Sequence, residues 1–312
     1  MANQSLPFIL HQTDMSGRLV QLTEVAQDLA TRRAFPPAVQ GLIVEAAAIA
    51  GALRSLLKFQ GKVIIQAKGK GPVSMLVAQA EADGGLRATA SIAENRLDAY
   101  GNWPSFHAML GAGHVALTLD RGADFERTQG VVELKSDGLA ASLEHYFNQS
   151  DQVNLRLISG ARLRSAGWVS GALVLQRLPL MGGEGSADST AAGPVYGQRT
   201  GVQIGQEEAA EIQWQQALAF LHTLGIEELT DPALPSQDLL YRLFHEQGVQ
   251  VAEADALLRT CACDKGRLIA ALKSLAAEDL AEVFVDGMAQ STCEFCGTLY
   301  QIQPEDMENT AA

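Results

Sequence analysis

The spacing of apolar positions changes character several times along the chain. From Pro36 to Phe59 the segment "PPAVQGLIVEAAAIAGALRSLLKF" is apolar on nearly every face, which predicts a helix buried on all sides. Pro36 and Pro37 suit its entry. After Gly61 the pattern is that of strands. "KVIIQAKG" and "PVSMLVAQAEA" flank a Gly69-Lys70-Gly71-Pro72 turn, "GLRATASI" follows Gly84-Gly85, and "GHVALTLDR" with "TQGVVELK" reads as a further strand pair. Helical spacing returns in "DGLAASLEHYFNQS", with Leu139, Leu143, Tyr146 and Phe147 on one face and Asp137 as the expected N-cap. "QVNLRLIS" and "ALVLQRLP" are strands again. A meander interrupted by helices predicts an α+β layer fold.

Residues 182–206 break this pattern. "GGEGSADSTAAGP" is rich in Gly, Ser and Ala and reads as a flexible connection. Two amphipathic helices are expected after it: "EEAAEIQWQQALAFLHTLGI", with Ile212, Leu218, Leu221 and Leu224 among its apolar positions, and "PSQDLLYRLFHEQG", with Leu239, Leu240, Leu243 and Phe244. Further on, "DKGRLIAALKSLAAEDLAEVF" predicts one or two helices joined near Ser274, "QSTCEFCGTLYQI" a hairpin, and "PEDMENTAA" an acidic tail. The organisation this predicts is an N-terminal mixed α/β domain over 1–181, a helical linker over 182–235, and a small C-terminal zinc-binding domain over 236–312.

Composition narrows the choice of function. The chain has 312 residues, 47% of them hydrophobic, and a formal net charge of −13. That charge argues against nucleic acid, whose affinity comes largely from Lys and Arg, and equally against an anionic membrane surface. It suits a protein that stays dispersed while carrying apolar surface. "MANQSLPFILHQTDM" has neither a basic start nor a long apolar run, so a cytoplasmic location is expected.

The chemistry concentrates at the C-terminal end. All four cysteines lie there, as Cys261-x-Cys263 and Cys293-x-x-Cys296, with 29 residues between the pairs. Clustered thiols without a secretory leader point to metal or redox chemistry. Two local pairs suit a tetrahedral thiolate zinc site, because the fold has only to bring the pairs together. The plainest alternative is a zinc clip that is purely structural. Close pairing also gives each thiol a neighbour for a disulfide once a metal is lost. Cα atoms two apart in an extended chain lie about 6–7 Å from one another, near the upper limit for such a bond, so a Cys261–Cys263 link would be strained and readily reduced. Around the cysteines, Leu268, Ile269, Leu272, Leu275, Leu280, Val283 and Phe284 can form only a small core. Structural zinc is worth roughly 10–16 kcal/mol in model peptides, more than such a core supplies, so losing the metal should unfold the module.

These motifs resemble the heat-shock protein 33 family of redox-regulated bacterial chaperones. The Cys-x-Cys…Cys-x-x-Cys signature carries the resemblance most specifically, supported by "FPPAVQGLIVEA", "LKFQGKVIIQAKGKGPVSMLVAQA", "DGGLRATA", "LEHYFNQSDQ", "LVLQRLP" and "YRLFHEQGV". "GGEGSADSTAAGP" is longer and looser than the family pattern. The resemblance implies that Cys261, Cys263, Cys293 and Cys296 hold one zinc in the reduced state. It implies that oxidation links Cys261 to Cys263 and Cys293 to Cys296, releases the metal and unfolds the zinc domain and linker. The product is an ATP-independent holdase for unfolding client proteins, monomeric when reduced and homodimeric when activated. An enzymatic role is not expected. The alternative is a zinc-stabilised regulatory or binding protein without redox switching.

Other motifs carry less. The six histidines, His11, His107, His114, His145, His222 and His245, show no metal-ligand spacing. The Gly69–Pro72 stretch lacks the phosphate-loop pattern, and no nucleophile motif accompanies the acid and base side chains.

Overall fold

The computed structural model describes residues 3–11, 13–54, 61–93, 105–122, 127–150, 153–177, 206–275, 280, 283–285 and 287–308. The expected flexible connection at 182–194 lies outside the described residues.

Helix α2 (Pro37–Arg54) is the centre of the molecule. Ten of its side chains, from Val39 to Leu53, are buried, because Ala and small β-branched residues let a sheet approach on either side. It is long and apolar enough to cross a membrane, but most of it is buried inside the fold. One sheet has the order β10-β1-β2-β9-β8, built from Val249–Val251, Gln4–Leu10, Met15–Leu22, Gly167–Arg177 and Leu155–Arg164. The short strand β11 (Asp255–Ala256) also pairs with β1. The second sheet has the order β12-β5-β4-β3-β6-β7: Leu258–Arg259, Gly85–Ile92, Val73–Glu81, Lys62–Gly69, Gly113–Asp120 and Thr128–Glu133. Helices α1 (Glu24–Thr31), α3 (Phe106–Leu110) and α4 (Leu139–Ser150) complete this core.

The first sheet is apolar on both faces, and the strand period shows why. On β9, Ala172 and Val174 point to the α2 core, while Leu173 and Leu175 point away from it. On β2, Val20 and Leu19 divide in the same way. The outer face, with Leu6, Phe8, Leu10 and Met15, is covered by α5 (Gln206–His222), α6 (Ile226–Leu229) and α7 (Ser236–Phe244). Trp214, Ala217, Leu221, Leu229, Leu239, Leu240, Leu243 and Phe244 are buried there, and the Phe8 and Phe244 rings stack 5.7 Å apart. Gly160 and Gly171 face each other across β8 and β9 and let α6 lie close to the sheet. A Cβ at Gly171 would stand 2.8 Å from the Leu229 carbonyl oxygen, and one at Gly160 would stand 2.6 Å from the Ile226 side chain.

Two details differ from expectation. Helix α4 starts at Leu139, immediately after Gly138, so Asp137 is not its N-cap; the Asp137 carboxylate accepts from Ser136 Oγ instead. Ile212 is exposed, and Trp214 and Ala217 supply the inward face of α5 beside Leu221. Amphipathic spacing fits more than one stripe on an Ala-rich helix, and the sheet selects the stripe carrying the indole.

The remaining elements are α8 (Lys265–Lys273), a small sheet of β13 (Phe284–Val285), β14 (Met288–Thr292) and β15 (Leu299–Ile302), and α9 (Pro304–Glu308). The expected acidic tail is helical up to Glu308. Among the described residues of this unit Ile269, Leu272, Ala289, Ile302 and Cys296 are buried, and Leu275, expected in the small core, is exposed.

Candidate metal centre

Each cysteine pair is placed by local hydrogen bonding. Cys261 follows β12, which runs parallel to β5 with Leu258 opposite Gly85 and Arg259 opposite Leu86. The Thr260 N–H extends this ladder by donating to the Leu86 carbonyl at 2.9 Å. Cys263 precedes Asp264, whose side chain caps α8 by accepting from the Arg267 N–H at 2.8 Å. The Arg267 guanidinium also donates to the carbonyl of Ala262, the residue between the two thiols, at 2.8 Å.

The second pair sits at the tip of the β14–β15 hairpin. The Gly297 N–H donates to the Cys293 carbonyl and the Cys293 N–H to the Thr298 carbonyl, both at 2.9 Å. Gly297 has φ +70°, a conformation that a Cβ would strain.

The hairpin and the start of α8 bring the four thiols together. All four sulfur atoms lie within 4.8 Å of one another. Separations are 3.2 Å for Cys261–Cys263, 3.7 Å for Cys261–Cys293 and 3.3 Å for Cys263–Cys296. Zn–S bonds near 2.3 Å place tetrahedral sulfurs about 3.8 Å apart, so the cluster has the right size for one ion. The Tyr300 hydroxyl lies 3.2 Å from Cys263 Sγ and 3.1 Å from its carbonyl oxygen, which orients that thiol. Among the described residues these cysteines form the one group of three or more potential metal ligands, and no histidine joins it.

The thiols hold protons unequally. Burial, followed by the bond to Cys263, pushes Cys261 up to about 12. Burial also raises Cys293. Burial raises Cys296 too, but the Thr298 hydroxyl and N–H, with the sulfurs of Cys263 and Cys293, outweigh it and bring Cys296 down to about 6. An acidic Cys296 in a cluster where Cys261 and Cys293 hold their protons more tightly is a donor set that a divalent cation can complete. Tyr300 and Thr298 were not singled out in the sequence. Their positions beside "CEFCG" are the only sequence signal for them, because their role depends on how the hairpin folds back.

Fold and site together define a protein with a four-thiol site fit to hold a metal ion: a layered α+β core, strapped by helices, that ends in a small four-cysteine module. The chain belongs to the Hsp33 family, whose model, described as Hsp33 protein, matches residues 3–303. It is 32% identical over 307 residues to the "33 kDa chaperonin" of Caulobacter vibrioides, covering 95% of this chain and 93% of that one. Its identity to the Vibrio cholerae protein of the same name is 31% over 302 residues, covering 96% and 92%. The crystal structure of the Thermotoga maritima Hsp33 homologue has the same fold, with a TM-score of 0.76 at 18% identity, covering 98% of this chain and 97% of that one.

Proposed function

We propose that this protein is a cytoplasmic, redox-regulated holdase that binds unfolding clients without ATP and catalyses no reaction. The observation that carries this reading is the double-sided sheet. Among the described residues its outer apolar face is covered mainly by α5–α7, and the chain leaving those helices runs through the short strands β10, β11 and β12 into the four-cysteine cluster. Uncovering that face would expose the kind of contiguous apolar surface that marks an interaction site. The family membership supports the same reading.

In the resting state Cys261, Cys263, Cys293 and Cys296 act as thiolate ligands of one zinc, which supplies the cross-link that the small module core lacks. Tyr300 orients Cys263, and Asp264 fixes the start of α8 beside it. A peroxide-class oxidant converts one thiolate of a pair to a sulfenic acid. Its neighbour attacks that sulfur, so that two thiols lose two electrons and two protons to one peroxide and give a disulfide and two waters. Oxidising both pairs removes all four ligands.

The Cys261–Cys263 separation is similar to those between the pairs, so distance does not select partners for these thiols. Loop closure favours Cys261–Cys263 and Cys293–Cys296, because these partners stay close as the module loosens. The module and the linker helices then unfold from the 1–181 core, and the activated chains associate as dimers.

The test is light scattering of a heat-denaturing client in the presence of reduced or peroxide-treated protein. Suppression only after oxidation is expected. Equal behaviour in both states would favour the zinc-stabilised binding protein without a switch.

A further inference from the structure

The tip of the second cysteine pair does more than bind metal: it touches the core. Glu294 and Phe295, between Cys293 and Cys296, lie against β5 and the loop joining α1 to α2. The Thr89 hydroxyl donates to the Glu294 carbonyl at 2.6 Å. Arg33 Nη1 donates to the Glu294 carboxylate at 2.6 Å and reaches its carbonyl at 3.3 Å. The Arg87 guanidinium stands 4.5 Å from the centre of the Phe295 ring. Gly297 packs so closely that a Cβ there would stand 2.6 Å from the Arg32 carbonyl oxygen. The first pair is tied to the same strand through β12 on Gly85–Leu86, and to α1 through the ion pair of Arg259 with Asp28. Strand β5 therefore touches both halves of the metal centre, the first at Gly85–Leu86 and the second at Arg87 and Thr89.

We propose that the Cys293–Cys296 loop is a latch that docks the metal module onto β5 and the α1–α2 loop, and that closing the Cys293–Cys296 disulfide opens it. This rests on the redox reading above and adds where the core senses the metal site. The latch contacts are main-chain carbonyls and a ring whose positions depend on the turn geometry at Cys293 and Gly297. A turn rebuilt around a disulfide does not keep them. Arg33–Glu294 alone is a surface pair of little strength, so the latch acts through the buried Thr89 bond, the cation–π contact and the close Gly297 packing together. With the latch open, the module's pairing to the second sheet among the described residues is β12 on β5, and at two residues it is too short to hold alone.

The test uses the full-length, reduced, zinc-loaded chain carrying Arg33→Glu with Thr89→Val, and separately Phe295→Ala. Zinc content, free thiols and backbone hydrogen exchange are measured without client. Both variants should keep one zinc and four thiols. Exchange at Leu258 and Thr260, whose N–H groups donate to the Gly84 and Leu86 carbonyls, should rise by about tenfold, with peroxide-triggered zinc release faster by a similar factor. Arg33→Glu with Glu294→Arg should restore part of the protection. Unchanged exchange at 258–260, or increased exchange only in step with zinc loss, would overturn the latch. A wild-type chain that keeps zinc and releases it on oxidation, yet never protects a client, would instead overturn the holdase reading and leave the latch standing.

Discussion

Protons and a divalent cation compete for the same lone pairs on Cys261, Cys263, Cys293 and Cys296. Burial holds the Cys261 proton up to about 12 and also raises Cys293, so a metal must displace more than one proton to bind. Lowering the pH returns those protons, and the sign is therefore fixed: apparent zinc affinity falls as pH falls. Competition against a chromophoric chelator should show a loss of more than about tenfold per pH unit below neutrality, whereas a flat profile would mean the thiols are not the ligands. Tyr300 gives a finer test at this scale. Its hydroxyl orients Cys263, so Tyr300→Phe should weaken zinc by about tenfold with the fold intact, as loss of an outer-shell partner does. Unchanged affinity would show that the hydroxyl contact is incidental. The convergence of the four cysteines was legible because each pair is local in sequence. Tyr300, Thr89 and Arg33 were not, because nothing within a few residues of them announces a partner that is distant in the chain.

At the scale of elements, helices α5–α7 depend on how closely they can approach the first sheet. Gly171 lies under α6, and Gly171→Val would drive a branched side chain into the Leu229 backbone. The expected outcome is release of α5–α7 in the reduced, zinc-loaded protein. It would be seen as a change in Trp214 emission and as client protection without oxidant. Full metal content with no gain in protection would contradict the idea that these helices cover the client-binding face. The long strands and α2 were legible in the sequence, since their periods of two or near-continuous apolar runs extend over many residues. Strands β1 and β2 were not, because Pro7 and Gly17 interrupt the alternation and β2 pairs with β9, far along the chain. Strands β10, β11 and β12 have two or three residues each, too few to show any period. They exist because the core offers open strand edges to pair with. The place of α8 was legible, and its start depends on Asp264 accepting from Arg267. Asp264→Ala should cost the module about 1 kcal/mol in thermal or denaturant unfolding, and no change would show that the cap is redundant.

For the whole molecule, stability is divided unevenly. The α2 core and its two sheets bury a large, continuous apolar interior, while the four-cysteine module has a small core of Ile269, Leu272, Ala289 and Ile302 beside its thiol cluster. The linker helices lie between these extremes, packed on one face only. Such a division lets one chemical event at the metal centre release the lower tiers while the upper one persists. The most direct measurement follows zinc content, free thiols and backbone exchange across α5–α7 in one sample during peroxide titration. The account predicts loss of about one zinc and four thiols per chain, accompanied by loss of protection in α5–α7, with α2 and its sheets still protected. Zinc and thiols lost with α5–α7 still fully protected would contradict it.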